Sequence, residues 1–214
     1  MLLKARYEDG SAMPQEQLID EVLILFAAGH ETTANALGFI LHLLAKHPDK
    51  QEKAYQEVSQ LNWEEDFEME NLRNLTYIKQ CIEEGMRLYP PAYYIDRESI
   101  VEDEIDGFTI PKNTMLLLAI YELHRDKRFW DKPEEFKPER FDASNKKDYS
   151  DYYFPFGAGP RMCVGNNFAM QEMILTVAEL IKKYKINTAW QDVEINPLIS
   201  LKPKTVPLTF VPRV

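Results

Sequence analysis

Phe156-Gly-Ala-Gly-Pro-Arg-Met-Cys163-Val-Gly165 is the stretch whose reading decides the fold, because it holds one of only two cysteines in 214 residues. Gly157, Gly159 and Gly165 give the main chain conformational freedom to turn tightly and aim amides at the sulfur. A helical run follows at once: Asn166-Asn167-Phe168-Ala169-Met170-Gln171-Glu172, then Ile174, Leu175, Val177, Ala178, Leu180 and Ile181. Cys163 is therefore expected at or near a helix N-terminus, where unpaired amides and the helix dipole favour thiolate over thiol. Arg161 adds a cation two residues away that can pair with an anionic cofactor group. A thiolate presented this way is a metal ligand or a nucleophile. The plainer alternative is a buried cysteine in a Gly/Pro turn.

The phenylalanine, glycines, arginine and cysteine of this loop, with Ala169 and Glu172 in the helix behind it, resemble the haem-ligand loop of the cytochrome P-450 family. The resemblance implies that Cys163 is the metal ligand, the proximal thiolate on the iron of haem b (iron protoporphyrin IX). It implies that Phe156 packs near the sulfur and that Arg161 meets a propionate. Gly157 and Gly165 join them in the cofactor-binding set. A thiolate ligand pushes electron density onto the iron and favours O–O cleavage.

Composition is that of an ordinary globular chain, 45% hydrophobic and 28% charged, long enough for one sizeable core. The formal net charge of −10 and the lack of any basic run argue against a nucleic-acid partner. Two cysteines, Cys81 and Cys163, suit a reducing compartment, and a disulfide between them would consume the proposed ligand. The N-terminal residues are charged and lack a long apolar region, so no signal peptide is read. The most apolar stretch, 22–45, is interrupted by His30-Glu31-Thr32-Thr33-Ala34-Asn35 and reads as a buried helix rather than a membrane span. These features lead to an expectation of a cytoplasmic protein.

Pro14 to about Ala45 is expected as one long helix, with Pro14 in a first-turn position. Leu18, Val22, Leu25, Phe26, Gly29, Thr33, Ala36, Leu37 and Ile40 fall on one apolar stripe at helical spacing. Lys46-His47-Pro48 ends it. Helices are expected from Pro48 to about Leu61 and from about Tyr77 to Leu88, the latter stopped by Tyr89-Pro90-Pro91. The period then changes. Tyr93–Ser99, Phe108–Ile110 and Thr114–Ile120 read as strands, with Asp106-Gly107 and Pro111-Lys112-Asn113 as turns. Residues 121–155 read as ordered coil, and the tail from Ile195 to Val214 as ending in a hairpin. The fold class is mainly α with a small β component, in one piece.

Three more constellations carry chemistry. Ala28-Gly29-His30-Glu31-Thr32-Thr33 places an acid, hydroxyls and a helix-weakening glycine inside an apolar helix, which suggests a kink or a site. It resembles the oxygen-binding groove of the P-450 distal helix. The resemblance implies that Thr32 binds iron-bound oxygen or a water beside it and that Glu31 helps deliver protons. The resemblance also places Ala28 on the cofactor and substrate side. Glu84 and Arg87, three apart on one helix face, are a weak signal alone. Followed by Leu88-Tyr89-Pro90-Pro91, and with Phe136-Lys-Pro-Glu-Arg-Phe141 downstream, they resemble P-450 motifs in the right order. A buried network of Glu84, Arg87 and Arg140 beneath the haem is implied, with a structural role. Arg97 matches the position of a second propionate partner, since a buried cofactor needs cations for two carboxylates. His124 is a further polar neighbour of the cofactor or a satisfied core residue.

The resemblance spans nearly the whole chain but only the C-terminal half of the family's domain, so 1–214 is expected as a single partial domain. It implies a haem-thiolate monooxygenase that inserts one oxygen atom from O2 into a small lipophilic substrate, with electrons from a separate flavoprotein or ferredoxin reductase. A peroxygenase or isomerase shares the thiolate chemistry. A fragment that does not hold haem productively is the alternative from another class. Apolar segments at Ala27-Ala28, Pro91-Ala92-Tyr93 and Val206-Pro207-Leu208 are the substrate-side candidates. The long helix exposes apolar surface that the other half of such a domain, or a self-associating copy, is expected to cover.

Overall fold

The computed structural model describes residues 2–61 and 69–213, so Met1 and Val214 lie outside the described residues. The first long helix, α1 (Gln15–Lys46), has 32 residues and is about 48 Å long at about 1.5 Å per residue. Pro14 stands one position outside the expected first turn, as the N-cap, and its carbonyl accepts the Leu18 N–H at 2.9 Å. α1 ends at His47 because the next residue is Pro48, which excludes helical geometry at the residue before it. Pro48 then opens α2 (Pro48–Ser59).

α3 (Thr76–Leu88) begins without a side-chain cap of its own. Glu57 of α2 serves instead, its carboxylate accepting the N–H groups of Tyr77 at 2.7 Å and Ile78 at 3.0 Å. An anion there also meets the positive end of the helix dipole. α1, α2, α3 and α6 (Asn166–Lys183) enclose the main core, in which Ile40, Leu44, Ala54, Val58, Ile78, Ile82, Val177 and Ile181 are fully buried. α1 and α3 approach closely at Gly85, where a Cβ would stand 2.5 Å from Ile40 Cγ1. Gln51 is buried among them and uses its whole amide, donating to the Leu44 and Ile186 carbonyls and accepting the Ile186 N–H.

The β component consists of small antiparallel pairs. β1 (Ile95–Glu98) pairs with β4 (Met115–Leu118), and β2 (Asp103–Ile105) with β3 (Phe108–Ile110). Asp106 and Gly107, at φ 50° and 81°, form the left-handed two-residue turn that joins β2 to β3. β2 was not expected from the sequence. Two charged residues in three leave no apolar alternation to read. The strand expected to reach Ile120 stops at Leu118, and Ile120 opens a short helix, α4 (Ile120–Leu123). Residues 121–155 are ordered, as expected, but include 3-10 turns and α5 (Lys146–Tyr149) around buried Trp130, Phe136 and Phe141. After α6, β5 (Tyr184–Asn187) leads to a hairpin of β6 (Ile195–Pro197) and β7 (Leu201–Pro203), which opens the tail instead of ending it near Val206–Leu208 as expected. The last strand, β8 (Thr209–Pro212), returns to pair with β5.

The apolar stripe of α1 divides in two. From Thr33 onward most of it is buried. Before that, Val22, Leu23, Ile24 and Phe26 are each more than half exposed, so Leu18, Val22, Leu25 and Phe26 do not face this chain's core as the stripe implied. No helix among the described residues is long and apolar enough to cross a membrane.

Candidate functional site

The cysteine loop is closed on itself by one backbone bond, from Cys163 N–H to the Phe156 carbonyl at 2.9 Å. Two residues make that closure possible. Gly157 and Gly159 sit at φ 70° and 71°, a region that disfavours any side chain. A 3-10 turn over Gly159–Arg161 carries the chain to Cys163, and Gly165 caps α6. Cys163 thus lies just ahead of the α6 N-terminus, with its thiol exposed and unpaired. Phe156 packs from below against the main core, so the loop rests on a fixed floor.

Gly157 lies against β1, where a Cβ would meet Ile95 Cδ1 at 3.5 Å. β1 also carries Arg97. Arg97 and Arg161 are both exposed, and neither forms an ion pair with an acid among the described residues. Among the described residues, Arg97 donates only to the neighbouring Asp96 carbonyl, at 2.7 Å.

On α1, the Thr32 hydroxyl donates to the Ala28 carbonyl at 2.7 Å. The helix stays continuous through 28–33, so the polar cluster does not break it. A Cβ on Gly29 would meet nothing within 4 Å. Glu31 lies 3.9 Å from Lys202 Nζ, on β7, an ion partner that the sequence did not suggest. The same hairpin is docked on α1 at Asn35, whose amide donates to buried Ser200 Oγ at 3.0 Å, and at Gly38, against Pro203 and Val206. The turn after α3 joins them: the Leu201 N–H donates to the Pro91 carbonyl and the Tyr93 hydroxyl to the Leu198 carbonyl, each at 2.8 Å. Two of the substrate-side segments, Pro91–Tyr93 and the tail at Val206, are thereby tied to one hairpin that packs on α1.

The ion network lies between α3 and the segment 132–140. Arg87 binds Glu84 in a two-pronged contact, Nε to Oε2 at 2.7 Å and Nη2 to Oε1 at 3.0 Å, with both side chains fully buried. Arg140 Nε reaches the same Oε1 at 3.3 Å, and the Lys137 N–H donates to it at 2.9 Å. Arg87 Nη1 donates to the His124 carbonyl at 2.7 Å, and its guanidinium lies 5.1 Å from the Trp130 ring centre. His124 itself is a core residue. Its ring is buried and Nε2 accepts the Phe154 N–H at 2.9 Å, so it supports the entry to the cysteine loop. Burial and the charges of Arg87 and Arg125 push its pKa down to about 3, against a backbone hydrogen bond that pulls the other way. An open groove of about 800 Å³ between the end of α1 and Phe136 includes neither Cys163 nor Thr32.

The family model described as Cytochrome P450 matches residues 1–210. The chain belongs to the cytochrome P450 family. Cytochrome P450 3A6 of Oryctolagus cuniculus is 38% identical over 175 residues, covering 81% of this chain and 35% of that protein. Leukotriene-B4 omega-hydroxylase 3 of Mus musculus is 38% identical over 192 residues, covering 87% of this chain and 36% of that protein. The crystal structure of a cytochrome P450, CYP102L1, superposes with a TM-score of 0.92 at 29% identity, over 100% of this chain and 50% of the other. The chain thus spans about a third of the length of these curated P450 relatives and half of the solved P450 domain.

The P450 family is a haem-thiolate oxidoreductase family, and the donor set here fits its cofactor. An iron porphyrin needs one soft axial donor, cations for two carboxylates and a floor that holds the donor still. This chain offers an exposed thiol on a closed loop, two arginines without acid partners among the described residues, and Phe156 on the core.

Proposed function

We propose that this chain forms the haem-holding part of a P450 monooxygenase, which transfers one oxygen atom from O2 to a lipophilic substrate using electrons from a separate flavoprotein or ferredoxin reductase. The observation that carries the reading is the exposed Cys163 thiol on a loop closed by its own amide to Phe156. In this reading Cys163 is the metal ligand. Phe156, Gly157 and Gly165 form the floor under the cofactor, and Arg97 and Arg161 receive the propionates. Ala28 lines the opposite face. The bound haem supplies O2 activation and oxygen-atom transfer.

The acid–alcohol pair on α1 handles protons. The Thr32 hydroxyl proton is committed to the Ala28 carbonyl, which leaves its oxygen lone pairs free to accept a hydrogen bond from a water. Glu31 is half exposed and has an ion partner in Lys202, so it can pass a proton between solvent and Thr32. That pair favours monooxygenation over a peroxygenase or isomerase, which need no proton relay to O2. The name of one relative, a leukotriene-B4 omega-hydroxylase, supports hydroxylation of a lipophilic compound. The exposed first half of α1 supports a further element of the reading: a covering partner, either the remainder of a P450 domain or a second copy of this chain.

The test is to load the protein with haem, reduce it, add CO and record the Soret band. The red-shifted thiolate-type band is expected, and Cys163→Ala should abolish it. Failure to take up haem would overturn the assignment of an active site to this chain. In a loaded, active protein, Thr32→Ala should separate oxygen consumption from product formation; unchanged coupling would remove Thr32 from proton delivery.

A further inference from the structure

Arg125, just after α4, is enclosed with too few partners. Its side chain is only 10% exposed. Nε meets Glu134 Oε2 at 3.4 Å, and that glutamate is itself 73% exposed. Nη1 is buried and has no acceptor among the described residues. A guanidinium is a group of donors only, and enclosing it without acceptors is costly. One long contact to a carboxylate that stands mostly in water offsets little of that cost.

The group is held ready for an acceptor. It lies over the Tyr121 ring, 3.7 Å from its centre, and 5.6 Å from the centre of the Tyr89 ring. The backbone beside it is fixed by the buried network, because Arg87 donates to the carbonyls of His124 and Glu135, the neighbours of Arg125 and Glu134. Arg125 lines the open groove of about 800 Å³ at the end of α1, a volume typical of small-molecule sites. Leu43, Leu88 and Phe136 line the same groove and are largely buried, so it has an apolar wall. Thr32 stands about three turns earlier on α1, roughly 16 Å from Leu43 along the axis. The groove is therefore separate from the proposed haem site.

The charges around the groove select the ligand. Four cations, Lys46, Lys50, Arg125 and Lys137, share it with four acids, Glu134, Glu135, Glu139 and Asp192. Lys46 is taken by Asp192 at 3.3 Å and Lys50 by Glu139 at 3.4 Å. No surplus of positive charge is left to hold a dianion. What Arg125 lacks is one planar pair of acceptors, and a carboxylate matches the guanidinium fork. We propose that this groove binds a small organic monocarboxylate with an apolar body. Its carboxylate bridges Arg125 Nη1 and Nη2 once Glu134 swings out into water, and its body lies against Leu43, Leu88 and Phe136.

The test is made on the 214-residue chain without haem, by saturation transfer from the protein to the ring protons of benzoate in NMR. Saturable binding is expected. Arg125→Lys keeps the charge but loses the fork, and should weaken binding at least about tenfold. Glu134→Gln removes the competing carboxylate at an exposed position, and should tighten binding about two- to fivefold. Replacing Arg97 and Arg161 together by Gln should leave binding unchanged; its loss would overturn the proposal, because the carboxylate would then sit on the cations assigned to the propionates. Equal saturation of benzamide, the neutral isostere, would overturn it as adsorption to exposed apolar surface. Displacement of benzoate by an equal concentration of inorganic phosphate would overturn the choice of a monocarboxylate. Affinity indifferent to Arg125→Lys would overturn the site itself, and where that variant fails to fold, unchanged affinity in Glu134→Gln does so. Failure of haem uptake bears only on the functional reading and leaves this binding measurable.

Discussion

Glu84 is a fully buried carboxylate shared by two guanidinium groups and a backbone amide. Removing its charge strands Arg87, whose remaining bonds are to carbonyls. Glu84→Ala is expected to cost about 3–5 kcal/mol, read from denaturant unfolding, whereas removing an exposed pair such as Lys183–Glu179 should leave the denaturation midpoint nearly unchanged. His124 gives a pH dependence. Its Nε2 must stay unprotonated to accept the Phe154 N–H, and its pKa is pushed down from 6.5 to about 3. As pH falls below 6.5 the unfolded state takes up this proton first, so stability drops between pH 6.5 and 3. His124→Gln, which can still accept from Phe154, should flatten Tm in that window relative to the unaltered chain. Glu84, Arg87 and Arg140 were legible through their resemblance to P-450 motifs in the right order, the i,i+3 spacing being a weak signal alone. The Lys137 amide and the His124 carbonyl were not legible, because they act through backbone atoms 53 and 37 residues away. The placement of His124 in the core was likewise decided by tertiary packing.

Between elements, the α1–α3 crossing turns on Gly85. Alanine would gain about 1 kcal/mol of helix propensity there. Its methyl would stand 2.5 Å from Ile40 Cγ1, with Ile40 fully buried and unable to retreat. Overpacking of this kind costs about 1–3 kcal/mol. Gly85→Ala is therefore expected to lower stability, and Gly85→Val to lower it further; a stabilised Gly85→Ala would show that α1 can shift freely over α3. The bounds of α1, α2 and α3 were read within a residue or two because apolar spacing and Pro14, Pro48 and Pro90 mark them along the chain, whereas the short α4 and α5 were not read as helices. Ile120 was misread as strand because its fate depends on a distant partner. Tyr121 N–H bonds the Tyr93 carbonyl, and the chain turns there into α4.

At the scale of the molecule, α1 is apolar on every side over Val22 to Phe26, and these side chains are exposed. A helix that is hydrophobic all round belongs inside a structure. The chain is expected to self-associate at micromolar concentration and to bind an exposed-hydrophobic dye. Leu23→Lys with Phe26→Lys should reduce both effects while leaving unfolding of the core unchanged, because neither residue touches it. A monodisperse monomer without dye binding would count against a covering partner. The stripe was visible in the sequence, but apolar spacing alone does not say which chain covers it.

The bond between Asn35 and Ser200 spans 165 positions of sequence. α1 leaves the ribosome well before the hairpin and α6 that enclose its second half. At about 5–20 residues per second, α1 waits on the order of ten to thirty seconds for them. During that interval its buried half has α2 and α3 to pack against but lacks the hairpin and α6. The length of synthesis between these two residues therefore sets how long a chaperone must shield the nascent helix.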